Sequence, residues 1–395
     1  MTRPSALSDL KVLEYGDMVP GAYCARLLAD AGADVVKVEP PAGDSSRRRG
    51  PFPGNVSDPD WSGLYLYLNA NKRGVTLEFA QPKDWAIFQG LAAKADVLVL
   101  DQNAREIDNL GLRRHNLKGL NPRLIVTAIT PFGLTGRKRD YTGDDLIAVS
   151  AGGLAYATPG IPDMVHDPEK EPPLRANAYV GDILAGVQGA LATMVAVLSR
   201  SLSGEGCEVD VSRQEAVSMV LPFEFAHASH HNAKKREPNI FGAMPNAYLP
   251  CKDGYVVIMA VMDAHWQALM DLTGNPDWGE NELFANAQER ARNWDALEPM
   301  LLEWTMSLSG AEITRLAQGK GIPCFPAYSV GDMVESEHVK AREFMWQMEG
   351  PQGQSFKLPG YPVRMAATPW QLRRRAPKLG EHNQEVFSEW LGQNA

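Results

Sequence analysis

The first candidate for chemistry is Asp182, an aspartate that follows Val180-Gly181 and directly precedes a long apolar stretch. Gly181 has no side chain, so it would let a substrate come close to the backbone. An exposed aspartate with an ordinary pKa of ~3.9 is ionised at neutral pH and can attack an electrophilic carbon. Because aspartate is also favoured at helix N-caps, the local sequence alone favours a structural role.

Two basic segments have the composition of phosphate-binding loops. Arg47, Arg48 and Arg49 follow an apolar strand-like segment, and the loops after strands are where open α/β sheets bind ligands. Guanidinium groups there would hold phosphates through paired hydrogen bonds. Lys72 and Arg73 lie in a segment with two asparagines, which would suit a phosphate and the edge of an adenine ring. Taken alone, each segment is more typical of a solvated loop.

The sequence has no motif for a resident cofactor or a metal ion. No G-x-G-x-x-G run follows the first strand-like segment, and there is no P-loop. His227, His230 and His231 have the spacing of one helix face, but no acidic residue accompanies them as in zinc proteases. We therefore expect a solvated or interface histidine cluster, no metal site and no permanently bound cofactor.

The composition is that of a globular protein. The chain has 395 residues, 44% of them hydrophobic and 22% charged, with a net charge of -9. Its length exceeds the ~250–300 residues at which single cores split, so two domains are expected. The negative charge disfavours nucleic acid and anionic membranes as partners. Residues 183–198 are fewer than the ~20 that a membrane span requires. Four unpaired cysteines and no signal peptide predict a cytoplasmic protein.

Alternating strand-like and helix-like segments in the first half predict an α/β sheet covered on both faces. Strands are predicted at residues 11–13, 33–38, 75–79, 96–100, 124–130 and 207–211, and helices at 22–31, 84–94 and 182–200. Asp182 is expected to cap the last of these helices. Six large apolar residues of that helix are expected to face the core: Leu184, Val187, Leu191, Met194, Val195 and Leu198.

The character of the sequence changes near residue 224 and again after residue 321. Residues 227–238 are polar without a clear period and predict a linker. A hairpin is predicted at 247–259, and helices at 265–272, 294–306, 311–319 and 384–391. These changes indicate a separate middle domain.

Read together, the segments resemble the class III coenzyme A transferases, the family of formyl-CoA transferase, carnitine CoA-transferase and α-methylacyl-CoA racemase. The resemblance spans nearly the whole chain. The segments that carry it include LLADAGADVVKVE at 27–39, LNANKRGVTL at 68–77, LNPRLIV at 120–126, PPLRANAYVGD at 172–182 and GEHN at 380–383. Their order and spacing together are highly specific.

The resemblance implies a fold beyond what periodicity predicts. It implies a Rossmann-like large domain formed by both chain ends, residues 1–222 and 326–395, and a smaller inserted α+β domain, residues 223–325. It also implies an interlocked homodimer in which two ring-like subunits thread through each other. No stable folded monomer is expected from such a dimer.

The resemblance also implies roles for individual residues. Asp182 would be the catalytic nucleophile that carries coenzyme A as an aspartyl thioester during its transfer from an acyl-CoA to a free carboxylic acid. The expected contacts of coenzyme A are Arg47, Arg48, Lys72, Arg73 and Asp145. Gly152-Gly153, or a loop of the inserted domain, would supply oxyanion donors. The acyl pocket is expected around residues 223–231, Met244 and Tyr248, where a bulky apolar or aromatic acid would fit.

Four residues depart from the family pattern. Val19 stands where transferases often have glutamine, and Asp101-Gln102 stands where they often have Asn-Phe, so the family's coenzyme A contacts at Asp101-Gln102 are not carried over to this chain. Asp144 stands where the racemases have histidine. A racemase or epimerase using Asp182 with Asp144 is one alternative, disfavoured because an aspartate is a poor acid near neutral pH. A catalytically silent CoA-thioester-binding subunit is the other.

Overall fold

The computed structural model of the protein describes residues 5–158, 172–231, 243–349 and 355–392. The chain divides into two compact units. The first comprises residues 1–155, 175–222 and 337–395, and the second comprises residues 156–174 and 223–336. Both ends of the chain therefore belong to the first unit.

A parallel sheet forms the centre of the first unit. The strands of the protein are, in chain order, β1 (Lys11–Tyr15), β2 (Asp34–Glu39), β3 (Arg73–Thr76), β4 (Val97–Leu100), β5 (Ile125–Thr130), β6 (Glu208–Ser212), β7 (Asn246–Cys251), β8 (Gly254–Met259), β9 (Cys324–Pro326), β10 (Met345–Glu349) and β11 (Ser355–Pro359). The first six are parallel, in the order β3-β2-β1-β4-β5-β6. The predicted α/β class is confirmed. Because the order reverses between β1 and β4, their following loops diverge and leave a crevice.

Helices connect the strands and cover the sheet. They are, in chain order, α1 (Pro20–Asp30), α2 (Gly63–Asn69), α3 (Pro82–Lys94), α4 (Ala104–Asn109), α5 (Arg114–Leu117), α6 (Asp145–Ala151), α7 (Leu154–Ala157), α8 (Val180–Ser203), α9 (Arg213–Ser218), α10 (Pro222–His231), α11 (Asp263–Thr273), α12 (Ala287–Arg292), α13 (Trp294–Thr305), α14 (Gly310–Gly319), α15 (Val330–Glu335), α16 (Glu337–Ala341) and α17 (Asn383–Leu391). Proline is the first residue of α1 and of α3, where a backbone N–H would have no partner within the helix.

The sheet strands lie within a few residues of their predicted positions. Strands β4 and β5 are buried along their whole length, as expected for a parallel sheet covered on both faces. The largest difference is β3, which begins at Arg73 instead of residue 75. A charged residue can stand inside this strand because Asp34, at the start of β2, accepts hydrogen bonds from the Arg73 guanidinium at 2.6 and 3.1 Å.

Helix α8 buries a face made of small residues. This face consists of Ala185, Gly186, Gly189, Ala190, Thr193 and Ala196. A Cβ atom on Gly186 would lie 2.9 Å from the carbonyl oxygen of Pro20, so α1 packs against α8 at close range. The predicted orientation was therefore wrong for the large residues: Leu191, Val195 and Leu198 are 59, 60 and 65% exposed.

Helix α8 is longer than predicted. It begins at Val180, with Tyr179 as N-cap, so Asp182 lies in its first turn and does not cap it. Over the described residues, α8 is also the helix that is long and apolar enough to cross a membrane by length and composition alone. Its small-residue face packs inside the first unit, as in the core helix of a soluble protein.

The edge strand β3 is covered by the end of the chain. The N–H group of Gly74 donates a hydrogen bond of 3.1 Å to Nδ1 of His382. The N–H group of Thr76 donates to Oδ1 of Asn383 at 2.9 Å. Two N–H groups that would otherwise lie on a free sheet edge are thereby satisfied. Helix α17 follows at once and buries Val386 and Trp390 in the core of the first unit.

The second unit has its own core. Strands β7, β8 and β9 form an antiparallel sheet, which confirms the predicted hairpin. One face of this sheet packs on α11, α13 and α14. Residues 227–231 were predicted as part of a linker but belong to helix α10, and residues 232–238 of that prediction lie outside the described part. Arg290 is buried here and donates hydrogen bonds to backbone carbonyl oxygens.

Candidate active site

A cavity of about 550 Å³ lies in the first unit at the carboxyl ends of the parallel strands. Asp17 follows β1 and Gln102 follows β4, so the cavity occupies the crevice at which the strand order reverses. Pro131 follows β5 and Arg213 follows β6, and both also line it. Asp182, in the first turn of α8, completes this wall. The cavity therefore brings together residues that are far apart in the sequence.

Asp182 is buried but lines the cavity. It is 4% exposed, and its Oδ1 accepts a hydrogen bond of 3.1 Å from Nη1 of Arg213. Burial raises the pKa of Asp182 to about 6, Arg213 opposes this shift, and the charges of Asp145 and Asp144 add to it. The expectation of an exposed carboxylate with an ordinary pKa was wrong. The group is still mostly ionised at pH 7, on the order of ten to one.

Asp145 anchors the start of α8. Its Oδ1 accepts hydrogen bonds from the N–H groups of Gly181 at 2.8 Å and Asp182 at 3.2 Å. A carboxylate at a helix N-terminus is favoured by the free N–H groups and by the helix dipole. Arg175 lies 3.4 Å from the other oxygen of Asp145. Asp145, a predicted coenzyme A contact, is thus brought next to the candidate nucleophile.

Arg213 is a site residue that the sequence analysis missed. It is the first residue of α9, directly after β6, and it lies 8% exposed. Besides Asp182, it contacts the backbone carbonyl oxygens of Gly143 at 3.3 Å and Asp101 at 3.4 Å. Its position at the carboxyl end of a sheet strand is the signal that would have identified it.

Asp101 connects the loop after β1 to the rest of the site. Its Oδ1 accepts the N–H of Asp17 at 2.8 Å, and its Oδ2 accepts the N–H of Gly21 at 3.0 Å. Cβ atoms on Gly16 and Gly21 would come within 2.6 and 2.7 Å of this carboxylate, so both positions require glycine. Burial raises the pKa of Asp101 to about 7, against the lowering effect of Arg213.

Four of the five predicted coenzyme A contacts lie outside the cavity lining, and three of these have buried side chains. Nζ of Lys72 contacts Glu14 at 2.7 Å, and burial lowers the pKa of Lys72 to about 8. Arg47 forms a bidentate pair with Glu39, with both distances 2.7 Å. The guanidinium of Arg73 is bound to the carboxylates of Asp34, Glu385 and Glu389.

Arg48 differs from these three residues because it is exposed. Its guanidinium donates to the carbonyl oxygen of Ala42 at 3.3 Å and to Oγ of Ser45 at 3.1 Å. Its neighbour Arg49 lines the cavity and is exposed, and its side chain forms no hydrogen bond or ion pair with the described part of the chain. Among the cavity arginines, Arg175 and Arg213 each have a carboxylate partner.

The predicted oxyanion donors are engaged elsewhere. The N–H of Gly152 donates to the carbonyl oxygen of Ala148, and the N–H of Gly153 to that of Ser150. Both bonds close the C-terminus of α6, so these groups are not free to bind a reacting oxygen. Gly153, with φ +92°, forms the left-handed end of a helix, which favours glycine, so the alternative source, a loop of the inserted domain, stays a prediction.

The residues of the remaining predictions have the following positions. Asp144, the second acid of the racemase alternative, lines the cavity and caps α6 by accepting the N–H of Ile147 at 3.1 Å. Met244, predicted for the acyl pocket, is buried in the core of the second unit. Tyr248 of the same prediction is 42% exposed on β7.

The whole-chain comparisons identify the family. The CoA-transferase family III matches residues 7–383, so the chain belongs to the class III CoA-transferases, and it is a CoA-transferase enzyme. It is 31% identical to succinyl-CoA:mesaconate CoA-transferase of Haloarcula marismortui, over 97% of this chain and 96% of that protein. It is 30% identical to succinyl-CoA–D-citramalate CoA-transferase of Chloroflexus aurantiacus, over 98% of this chain and 95% of that one.

A solved structure with the same fold supports this assignment. The crystal structure of a CAIB/BAIF family protein from Brucella suis is similar with a TM-score of 0.84 and 28% sequence identity. The similarity covers 98% of this chain and 100% of that chain. The resemblance stated from the sequence segments is thereby confirmed at the level of the family.

Proposed function

We propose that this enzyme transfers coenzyme A from an acyl-CoA to a free carboxylic acid through an aspartyl-CoA thioester on Asp182. One observation carries the proposal: a desolvated carboxylate, held by Arg213 at 3.1 Å, lines the cavity at the carboxyl ends of the sheet. A carboxylate in such a place is a nucleophile that can form a covalent intermediate.

The proposed reaction has four balanced steps. An oxygen of Asp182 attacks the carbonyl carbon of the thioester, the C–S bond breaks, and coenzyme A departs as its thiolate. A mixed anhydride between Asp182 and the acyl group remains. The thiolate attacks Cγ of Asp182, and the donor acid leaves as its carboxylate. The acceptor carboxylate attacks the aspartyl thioester and displaces the thiolate again. The thiolate then attacks the acyl carbonyl of the second anhydride and releases the new acyl-CoA with the free Asp182 carboxylate.

The neighbours of Asp182 support this role. Arg213 keeps the attacking oxygen negative, because a nearby cation favours the ionised carboxylate. Asp145 fixes the first turn of α8 through the N–H groups of Gly181 and Asp182, so the nucleophile is held on a rigid element. No net proton or electron enters the reaction, which agrees with a mechanism that needs no permanently bound cofactor.

Coenzyme A itself belongs to the proposal as substrate. Arg47, Lys72, Arg73 and Asp145 were predicted as its contacts, but their side chains already bind other protein groups. A coenzyme A contact through these residues would use backbone atoms or require the ion pairs to open. Arg48 has an exposed guanidinium and is the proposed phosphate contact among the predicted residues.

We include a substrate class in the proposal: the carboxylic acids are small dicarboxylic acids. The relatives from Haloarcula and Chloroflexus are named for succinyl-CoA with mesaconate and D-citramalate, all of which are dicarboxylic. Arg49 lines the cavity, has no carboxylate partner among the described residues, and would bind the carboxylate that does not react. This class differs from the bulky apolar acid expected from residues 223–231.

A homodimer in the cytoplasm is also part of the proposal. Helix α8 presents a stripe of exposed apolar residues at helical spacing: Val187, Leu191, Val195, Leu198 and Leu202. Contiguous apolar surface of this kind is typical of protein–protein contacts. We assign this stripe to the contact with a second copy of the chain, and the interlocked arrangement follows from the family resemblance alone. Free cysteines at the four described positions agree with a reducing compartment.

Label exchange tests the covalent mechanism. The purified protein is incubated with succinyl-CoA and ¹⁴C-labelled mesaconate, and label in the acyl-CoA fraction is counted. The Asp182→Asn variant keeps the shape of the side chain but removes the nucleophile, so exchange should fall by roughly 10³-fold or more. Hydroxylamine trapping followed by peptide mass mapping should modify Asp182 in the wild type.

The same experiment includes a control variant and distinguishes the proposed function from the two alternative functions. Asp210→Asn changes an exposed carboxylate of β6 that does not line the cavity, and it should leave exchange intact. Exchange that persists in Asp182→Asn contradicts the covalent role. Solvent deuterium entering the α-carbon without an acceptor acid would favour the racemase alternative. Coenzyme A binding without exchange by the homodimer would favour the silent subunit.

A further inference from the structure

The carboxyl group of Asp101 takes no part in the proposed covalent steps, yet it is buried at the wall of the cavity. It is 5% exposed and stands directly after β4, at the point where the strand order of the sheet reverses. Both of its oxygens accept backbone N–H groups, from Asp17 and Gly21. These two residues bracket the loop between β1 and α1, so one side chain fixes both ends of that loop.

The loop in turn holds the next wall of the cavity. Oδ1 of Asp17 accepts the N–H of Ser45 at 2.7 Å, and the N–H of Met18 donates to Oδ1 of Asp44 at 3.3 Å. Met18 has a φ of +66°, a conformation that a non-glycine residue adopts only when its surroundings enforce it. The segment after β2, which leads to Arg49, is therefore fastened to the loop that Asp101 fixes.

The backbone of Asp101 reaches the candidate nucleophile from the other side. Its carbonyl oxygen lies 3.4 Å from Nη2 of Arg213, whose Nη1 lies 3.1 Å from Asp182. The same residue thus contacts the loop with its side chain and the counterion of Asp182 with its main chain. A displacement of about 1 Å in such an arrangement is enough to reduce a rate strongly.

We propose that Asp101 is the positioning residue of this site, which sets the geometry of Asp182 through Arg213 and of the cavity wall through the β1–α1 loop. The inference rests on the proposed nucleophilic role of Asp182. A carboxylate is required because both oxygens must accept an N–H group. An asparagine offers one acceptor and turns an NH₂ group towards the second N–H.

The charged and titratable groups around Asp101 make this role dependent on pH. They are Arg213 at the start of α9, Lys37 of β2, Tyr15 of β1, Cys24 of α1 and Asp17 of the loop. Burial raises the pKa of Asp101 to about 7. Protonation would place an O–H where an acceptor is needed, so the loop should loosen as the pH falls below this value.

Steady-state kinetics of Asp101→Asn tests the proposal, with succinyl-CoA as donor and mesaconate as acceptor. We expect kcat to fall by roughly tenfold to a hundredfold with a smaller change of KM, because a bond to a charged group is lost. The acid limb of kcat in the wild type should contain ionisations near 7 and near 6, for Asp101 and Asp182. Asp101→Asn should keep only the one near 6.

Asp210→Asn is the matched control, because Asp210 also has a raised pKa and accepts a backbone N–H, from Leu134. The inference would be overturned if Asp101→Asn folds and has the same kcat, KM and pH profile as this control. If Asp101→Asn does not fold, the same kinetic comparison is made with Gly21→Ala, because the added Cβ would displace the Asp101 carboxylate. Unimpaired exchange by Asp182→Asn would instead refute the proposed function.

Discussion

At the scale of single residues, the three arginines that line the cavity differ in how they are neutralised. Arg213 is paired with Asp182 and Arg175 with Asp145, whereas Arg49 has no carboxylate partner in the described chain. An unpaired guanidinium at the wall of a substrate cavity matches a carboxylate in geometry as well as in charge. This difference makes Arg49 the residue on which the proposed preference for dicarboxylic acids depends.

We predict that Arg49→Gln reduces the preference for dicarboxylic over monocarboxylic acceptors. The ratio of kcat/KM for mesaconate to that for butyrate should fall by roughly tenfold or more, because the free carboxylate loses a charge-assisted hydrogen bond. The measurement is the initial rate of acyl-CoA formation with each acid at saturating succinyl-CoA.

Arg48→Gln is the matched control for this prediction. Arg48 is an exposed neighbour that does not line the cavity. Its substitution should raise KM for the CoA thioester and leave the ratio between the two acids unchanged. An unchanged ratio in Arg49→Gln, together with a raised KM for the thioester, would assign Arg49 to coenzyme A instead.

The site could be predicted from the sequence only where a residue type and its neighbours carry a family pattern. Asp182 and Asp145 were identified in this way and lie together. Lys72 and Arg73 were predicted to bind phosphate because the sequence alone does not show which carboxylates form ion pairs with them. Those partners, Glu14 for Lys72 and Glu385 for Arg73, are 58 and 312 residues distant. Long-range ion pairs of this kind become visible only in the fold.

At the scale of elements, the edge strand β3 depends on a histidine side chain. Nδ1 of His382 accepts the N–H of Gly74, so this nitrogen must be unprotonated. Burial lowers the pKa of His382 below its ordinary value near 6.5. The carboxylates of Glu381 and Glu385 oppose this shift, and the charges of Arg374 and Arg73 add to it. Because the pKa of His382 is lower in the folded than in the unfolded state, the neutral histidine stabilises the fold above pH ~6.5. This stabilisation is lost as the pH falls through the folded-state pKa.

We predict that His382→Ala lowers the free energy of unfolding by about 1 kcal/mol at pH 8, the value of a partly exposed hydrogen bond. The difference from the wild type should shrink at pH 5, because the unfolded wild-type chain gains a proton on His382 below pH ~6.5 and the folded state gives up that stabilisation. Urea unfolding at the two pH values measures both quantities. His338→Ala, on the exposed surface of α16, should change neither, and a constant difference across pH for His382→Ala would contradict the argument.

The positions of helices and strands could be predicted from the sequence where a single hydrophobic period dominates. The face that an element buries could not be predicted in the same way. The strands of the parallel sheet and the helices α11, α13, α14 and α17 lie close to their predicted bounds. The face that α8 buries was predicted wrongly, because hydrophobicity favours Leu191 over Gly189 as a core residue. Close packing on α1 and β5 selects the glycine: a Cβ there would lie 2.7 Å from Ile129.

At the scale of the whole molecule, the exposed stripe of α8 is the surface that we assign to the proposed homodimer contact. We predict that Leu191→Glu converts the dimer to monomers or to inactive aggregate, because it places a charge in a desolvated contact. Size-exclusion chromatography with light scattering measures the mass, and label exchange measures the activity. Leu120→Glu is the control, since Leu120 is also exposed, at 41%, but lies far from α8 in the sequence.

An unaltered dimer in Leu191→Glu would place the subunit contact on another surface. The result bears on the fold as well, since a chain whose subunits interlock should not yield a folded monomer. A soluble, folded monomer of Leu191→Glu would support the stripe as the contact but contradict the interlocked arrangement.

The closure of β3 by His382 and Asn383 also has a consequence for synthesis. The strand itself is complete once residue 76 has left the ribosome, whereas the two side chains that satisfy its outer N–H groups follow about 300 residues later. Throughout that interval the growing chain carries an unprotected sheet edge, which is a template for pairing with other chains. Nascent and prematurely terminated products should therefore be the principal clients of chaperones for this protein, more than the finished chain.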